Sequence, residues 1–203
     1  VILDGQEITF FKEHKRARMI GRLFQDPMKG TAPNLTIEEN LALAYARGQR
    51  RGIGIAINEK DRQLFRRELA RFDMGLEDRM KTKVGLLSGG QRQAVTLLMG
   101  TIVPPKLLLL DEHTAALDPA AAQKVLGITR DIVQREQLTT LMITHNMKDA
   151  ISIGNRLIMM HEGRIIYDIS GEEKRNLEVE DLLKKFEEAS GEEFANDRMI
   201  LAK

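Results

Sequence analysis

The sequence has no cysteine and no tryptophan. The first absence excludes disulfides and cysteine–metal sites, and it is compatible with a reducing compartment. The second, with aromatic residues at only 4%, argues against stacking platforms for single-stranded nucleic acid. An excess of one charge is also missing: 31 Lys and Arg stand against 30 Asp and Glu. That balance gives no electrostatic case for nucleic acid or an acidic surface. No apolar run is long enough to span a bilayer, because Pro104, Pro105 and Lys106 break the greasiest stretch, LLMGTIVPPKLLLL. No signal peptide, internal repeat or low-complexity segment is read. The chain opens VILDGQEITF without an initiator methionine. Val1 to Leu3 read as a strand and Asp4-Gly5 as a turn, so the sequence is expected to start inside a folded region.

What is present suits one sizeable α/β domain: 203 residues, 42% of them hydrophobic and 30% charged. Arg18 to Gln25 read as a strand, followed by a loop of turn formers, DPMKGTAPN. Thr36 can cap a helix to Ala46, with Glu39 at the capping-box spacing. RGQRRGIGI is a basic, glycine-rich linker. Asn58 to Phe72 form an amphipathic helix with Leu64, Phe65, Leu69 and Phe72 on one face. KLLLLDE (106–112) is a short continuous apolar run, as expected of a strand buried on both faces of a parallel sheet. Asp118-Pro119 is good helix-start chemistry for a helix to Gln134. TTLMITH (139–145) is the next strand, which completes a βαβ unit. Asn146 can cap a short helix, RLIMM and RIIYD flank HEG as a hairpin, and Leu177 to Ser190 form a charged amphipathic helix.

Gln25, Asp111-Glu112 and His145 each end an expected strand. Open parallel sheets bind ligands at the carboxyl ends of their strands. A glutamine, two carboxylates and a histidine there suit metal-assisted phosphoryl chemistry. One carboxylate can hold Mg²⁺, the other can orient or deprotonate water, and the histidine can bond a phosphate oxygen. The stretch LLSGGQRQA (86–94) adds an anion clamp. Ser88 and Gln91 match the capping box, so a helix starts at Gly89. Its first N–H groups and the positive end of its dipole face outward. Without side chains on Gly89 and Gly90, a phosphate can approach that backbone closely.

LSGGQRQ (87–93), KLLLLDE (106–112), ALDP (116–119), ITH (143–145) and LFQDP (23–27) resemble the signature motif, Walker B strand, D loop, switch histidine and Q loop of the ATP-binding-cassette ATPases, in order and spacing. FQDPMKGTAPNLTIEENLALAYARGQRRG and DEHTAALDP are similar to importer subunits assigned to amino acids of the tryptophan/tyrosine type. The resemblance implies a P-loop NTPase-type α/β fold: a parallel-sheet core, an inserted α-helical subdomain and a C-terminal helix, truncated at the N-terminus. It divides the chain into residues 1–25 (the remainder of an N-terminal β region and the Q-loop strand), 26–99 (the helical subdomain with the signature), 100–168 (the ATPase core) and 169–203 (a helical tail). Asp111 would hold Mg²⁺, with Gln25 touching metal and water while sensing the transport subunit, and Glu112 would be the general base or water-positioning group. His145 would contact the γ-phosphate. Ser88, Gly89, Gly90 and Gln91 would bind the ATP held mainly by a second copy, and Asp118 would bridge the copies. The resemblance thus implies ATP and Mg²⁺ as cofactors. The implied partners are a homodimeric second copy and an integral membrane transport subunit, with no nucleic acid. The implied location is peripheral, on the cytoplasmic face of the cell membrane.

One element of the family pattern has no counterpart. The Walker A loop needs Gly-Lys, and no such dipeptide occurs in these 203 residues. The chain alone is therefore expected to bind MgATP weakly and hydrolyse essentially none. Two other readings stay open: a cassette that only binds partners, and a soluble cassette ATPase outside transport. His113, where many relatives have proline, receives no role. His14 and His161 lack neighbours at metal-ligand spacing. Arg47, Arg50 and Arg51 read as a solvated face or, less simply, as a contact for a membrane subunit or anionic headgroups. Met142, Met147, Met159 and Met160 read as core.

Overall fold

A computed structural model describes residues 1–47 and 57–190. The linker around Arg50 and Arg51 and the tail beyond residue 190 lie outside them. Contacts divide the chain into two units, Val1–Ile143 and Thr144–Lys203.

The first unit opens with a hairpin of β1 (Ile2–Leu3) and β2 (Gln6–Glu7). Asp4 and Gly5 between them both take positive φ, 52° and 73°, as a two-residue hairpin turn demands. A short α1 (Glu13–Arg16) follows, then β3 (Ile20–Leu23). This strand is shorter than its sequence suggests. The turn after α1 keeps the N–H of Arg18 on Lys15 O and that of Met19 on Arg16 O. At the other end, Asp26 caps a 3₁₀ turn over Pro27–Gly30, so Phe24 and Gln25 lie beyond the paired strand.

Helices α2 (Ile37–Tyr45), α3 (Glu59–Ala70) and α4 (Gly89–Thr101) come next. Each starts at a capping box: Thr36 with Glu39, Asn58 with Asp61, and Ser88 with Gln91. Such a cap stabilises a helix by about 1 kcal/mol. β4 (Leu107–Asp111), α5 (Pro119–Arg135) and β5 (Thr140–Ile143) complete the unit. The sheet is parallel with order β3-β4-β5. Leu23 pairs with Leu110, and Asp111 pairs with Ile143.

α4 is the centre of the core, and nearly every residue from Gln93 to Thr101 is buried. Its close approach to the sheet depends on glycine. A Cβ on Gly21 would stand 2.7 Å from Gly100 O, and one on Gly100 would stand 3.0 Å from Leu23 Cδ1. Leu108 and Leu110 are buried on this face, together with Leu23 and Leu98. The other face differs from the expectation of a strand buried on both sides. Leu107 and Leu109 are only half-buried, and Leu141 and Ile143 are 53% and 54% exposed. Arg47 is not a solvated cation either. Its guanidinium Nη2 donates to Gly100 O at 3.2 Å and Val103 O at 2.7 Å, which places charge on the free carbonyls at the end of α4.

The second unit has α6 (Met147–Ser152), the hairpin β6 (Arg156–His161) and β7 (Arg164–Ser170), α7 (Gly171–Arg175) and α8 (Val179–Ser190). Glu162 and Gly163 turn the hairpin with φ of 47° and 77°. Met147, Leu157, Ile169 and Leu182 form its core, with Met159 packed against them. Met160, read from the sequence as core, is 63% exposed, because side chains alternate along β6 and Leu157 and Met159 take the inward positions. His161 packs edge-on against Phe186, ring centroids 5.1 Å apart. His14 is exposed on α1.

Candidate nucleotide site

The site is built at the end of β4. Asp111 is the last residue of that strand. Its carboxylate faces Arg22 of β3 at 3.5 Å, the two side chains being 41% and 54% exposed. The Arg22 guanidinium also lies over the Phe24 ring, 4.5 Å from its centroid. An ion pair this open contributes well under about 1 kcal/mol, so it does not close the carboxylate to a hard cation. Among the described residues, no three His, Asp or Glu gather as metal ligands. A cation on Asp111 would therefore complete its shell with phosphate and water oxygens, as Mg²⁺ does in phosphoryl-transfer sites. The donor set fits that ion.

Glu112 follows in the left-handed region, with φ of 45°. A non-glycine residue there costs of order 1–3 kcal/mol and persists only where its surroundings hold it. Both of its backbone groups are held: its N–H donates to Ile143 O, and its carbonyl accepts from Ala115 N–H, each at 3.0 Å. The next residue, His113, is buried. Its Nε2 lies 3.1 Å from Thr129 Oγ1 on α5. Thr129 spends its own hydrogen on Val125 O at 2.8 Å, so the imidazole is the donor, in its Nε2–H form. Burial pushes the imidazole pKa down to about 4.

The start of α4 is held locally. Ser88 Oγ accepts from Gln91 N–H, and Gln91 Oε1 accepts from Ser88 N–H, both at 3.3 Å. The N–H groups of Gly89 and Gly90 have no acceptor within the helix. Gly89 is exposed, though a Cβ there would stand 3.2 Å from Leu117 Cδ2, and a Cβ on Gly90 would stand 2.9 Å from Ala121 Cβ on α5. The glycine pair therefore has two uses: bare backbone at the exposed end, and close packing against the first turn of α5. That turn is capped by Asp118, whose Oδ1 accepts from Ala121 N–H at 3.0 Å. The signature and Asp118 are thus brought side by side.

Gln25 is exposed, two residues beyond β3. The register of Leu23 with Leu110 carries Gln25 and Glu112 onward from adjacent strands. His145 belongs to the second unit and lies two residues past the end of β5. It is exposed, in a turn where Thr144 Oγ1 accepts from Asn146 N–H at 3.0 Å. Burial pushes the Asp149 carboxyl pKa up, and the nearby His145 opposes that rise.

Sequence reasoning missed two supports. Arg92 donates to Val84 O, Gly85 O and Leu87 O, at 3.3, 3.1 and 3.0 Å, and so clamps the approach to the signature. Asn40 is fully buried; it accepts from Ala32 N–H at 2.8 Å and donates to Ala32 O, Leu35 O and Thr36 O. A polar side chain in an apolar helix, as in ENLALA, is the signal that could have found it.

A sequence model of the ABC transporter family matches residues 1–115. The chain is 44% identical over 189 residues to the tyrosine transport ATP-binding protein of Clostridioides difficile (strain R20291), covering 93% of this chain and 75% of that protein. The chain belongs to the ABC transporter ATPase family. The thiamine import ATP-binding protein of Salmonella typhimurium is 35% identical over 82% of this chain, which spans 66% of that protein's length. Two solved ABC structures share the fold. One is the ATP-binding cassette MJ0796 bound to ADP and Pi, with a TM-score of 0.69 and 24% identity over 83% of this chain and 72% of that one. The other is cbiO1 from Clostridium perfringens, part of the transporter complex cbiONQ, with a TM-score of 0.70 and 21% identity over 91% of this chain and 70% of that one. Among the described residues, no helix is long and apolar enough to cross a membrane.

Proposed function

We propose that this ABC ATPase binds and hydrolyses ATP to drive an importer of amino-acid-type solutes through an integral membrane partner, on whose cytoplasmic side it sits. The observation that supports the importer reading is the similarity to the tyrosine transport protein over nearly the whole chain. The hydrolytic reading rests on the placement of Asp111 and the strained Glu112 at the end of the central strand.

Asp111 would hold Mg²⁺, which when bound neutralises charge on the phosphate oxygens. Glu112 would take the proton of the water that attacks the γ-phosphorus as the bond to ADP breaks. Gln25 would reach toward metal and water, and His145 would donate to a γ-phosphate oxygen. Ser88, the bare backbone of Gly89 and Gly90, and Gln91 would receive the γ-phosphate of ATP carried by a second copy, with Asp118 linking the two. Positioning and fixed dipoles supply most of the rate in such transfer.

Purification from the source organism tests the transport reading. Recovery with an integral membrane protein is the expected result. Recovery with ribosomes or DNA instead would move the chain to a cassette ATPase outside transport. Because it contains no Gly-Lys dipeptide, the 203-residue polypeptide alone is expected to show no ATP turnover above that of its Glu112→Gln variant.

A further inference from the structure

We propose that His113 is a positioning residue for Glu112: its imidazole, donating to Thr129 on α5, pegs the chain immediately after Glu112 and so keeps that residue in its left-handed conformation. This rests on the reading of Glu112 as the hydrolytic base.

The argument starts from the backbone. A left-handed glutamate returns to ordinary φ unless both sides are fixed. The N-terminal side is fixed by the sheet, because β4 pairs with β5 and Glu112 N–H donates to Ile143 O at 3.0 Å. The C-terminal side enters the turn TAALDP, where Thr114 is half-buried and Ala115 and Ala116 are exposed. A bond from Ala115 N–H to Glu112 O closes the turn locally, between residues three apart. An anchor to another element is His113, 2% exposed, at 3.1 Å from Thr129 Oγ1. Thr129 is fixed in turn, being 3% exposed and bonded to Val125 O within α5. The glutamate therefore sits between two rigid elements, the sheet before it and α5 after it. α5 begins at Asp118 and packs through Ala121 against Gly90 of the signature. The same helix thus fixes the base and the phosphate-facing helix start relative to each other.

Two measurements test this. The first needs no activity: nitrogen NMR of the His113 ring and carbon shifts of Glu112 in the 203-residue chain. The expected ring is the Nε2–H tautomer, and the expected Glu112 shifts are left-handed in the wild type and moved in His113→Ala and Thr129→Val. An Nδ1–H ring, or Glu112 shifts unchanged in both variants, overturns the inference. The second is steady-state ATPase of the complex isolated from the source organism. His113→Ala and Thr129→Val should lower kcat about tenfold with KM for ATP within about twofold, since small displacements of a reacting group cost rate rather than binding. His113→Gln, whose amide can still donate, should recover most of that loss. If Glu112→Gln stops turnover while His113→Ala and Thr129→Val leave kcat unchanged, the inference fails and the base assignment stands. If Glu112→Gln leaves turnover intact, the base assignment fails, and the NMR result alone decides whether His113 holds the turn.

Discussion

The turn at Ser88 and the turn at Glu112, which would serve the same chemistry in the proposed site, are held in different ways. The signature turn is tied mainly by its own residues, with longer bonds of 3.4 Å from Gln91 to Met74 O and from Arg79 to Gln91. Ser88 and Gln91 exchange bonds three residues apart, and Arg92 clasps the carbonyls of the segment just before them. The carboxylate turn is tied from afar, through Ile143 on the neighbouring strand and Thr129 on α5. A turn built on local rules survives loss of distant contacts. A turn with left-handed backbone at a glutamate does not.

The sharpest way to break that contrast is to charge His113. Its folded pKa is about 4 against 6.5 for a free imidazole, so the unfolded chain binds the extra proton first. Stability from this group is fully present above pH 6.5 and is lost as pH falls from 6.5 toward 4. The loss is about 3 kcal/mol at its limit, read from urea unfolding across that window. His113→Gln should flatten that part of the profile.

Gly90→Ala probes the contact of the signature turn with α5. The new Cβ meets Ala121 Cβ at 2.9 Å between two helices that must then shift. The expected cost is about 1–2 kcal/mol in urea unfolding, with Ala121→Gly recovering most of it. Ser88→Ala removes the local cap and should cost about 1 kcal/mol, with no change in the Glu112 carbon shifts. Arg22→Met should alter stability by less than about 0.5 kcal/mol, because its pair with Asp111 is open to solvent. A larger loss there would mean that Asp111 depends on Arg22 more than the geometry allows.

The contrast also explains what could be read from the sequence. The caps at Thr36, Asn58, Ser88, Asp118 and Asn146 are short-range chemistry, and all five fall where their residue types place them. The parallel strand at 107–111 and the hairpin around HEG follow from equally local patterns. The positions that misled were set by contacts distant in sequence. Arg47 reads as a solvated cation until the end of α4 is folded beside it. Gly90 reads as an approach for phosphate alone until α5 is packed against it. His113 carries no sequence signal, since its partner is sixteen residues on and chosen by the packing of α5. Arg18 and Gln25 read as strand because the apolar pattern continues past both ends. The turn after α1 and the cap at Asp26 cut the pairing short.

The most direct measurement is ATP turnover by the membrane complex isolated from the source organism, wild type against Glu112→Gln, with nucleotide binding followed in parallel. A base held ready at the end of β4 predicts that turnover falls by about a hundredfold or more while ATP still binds, the size expected when a positioned proton acceptor is removed. Turnover within a few-fold of wild type would contradict the account: the strained glutamate would then be an ornament of the fold, and the proton would go elsewhere.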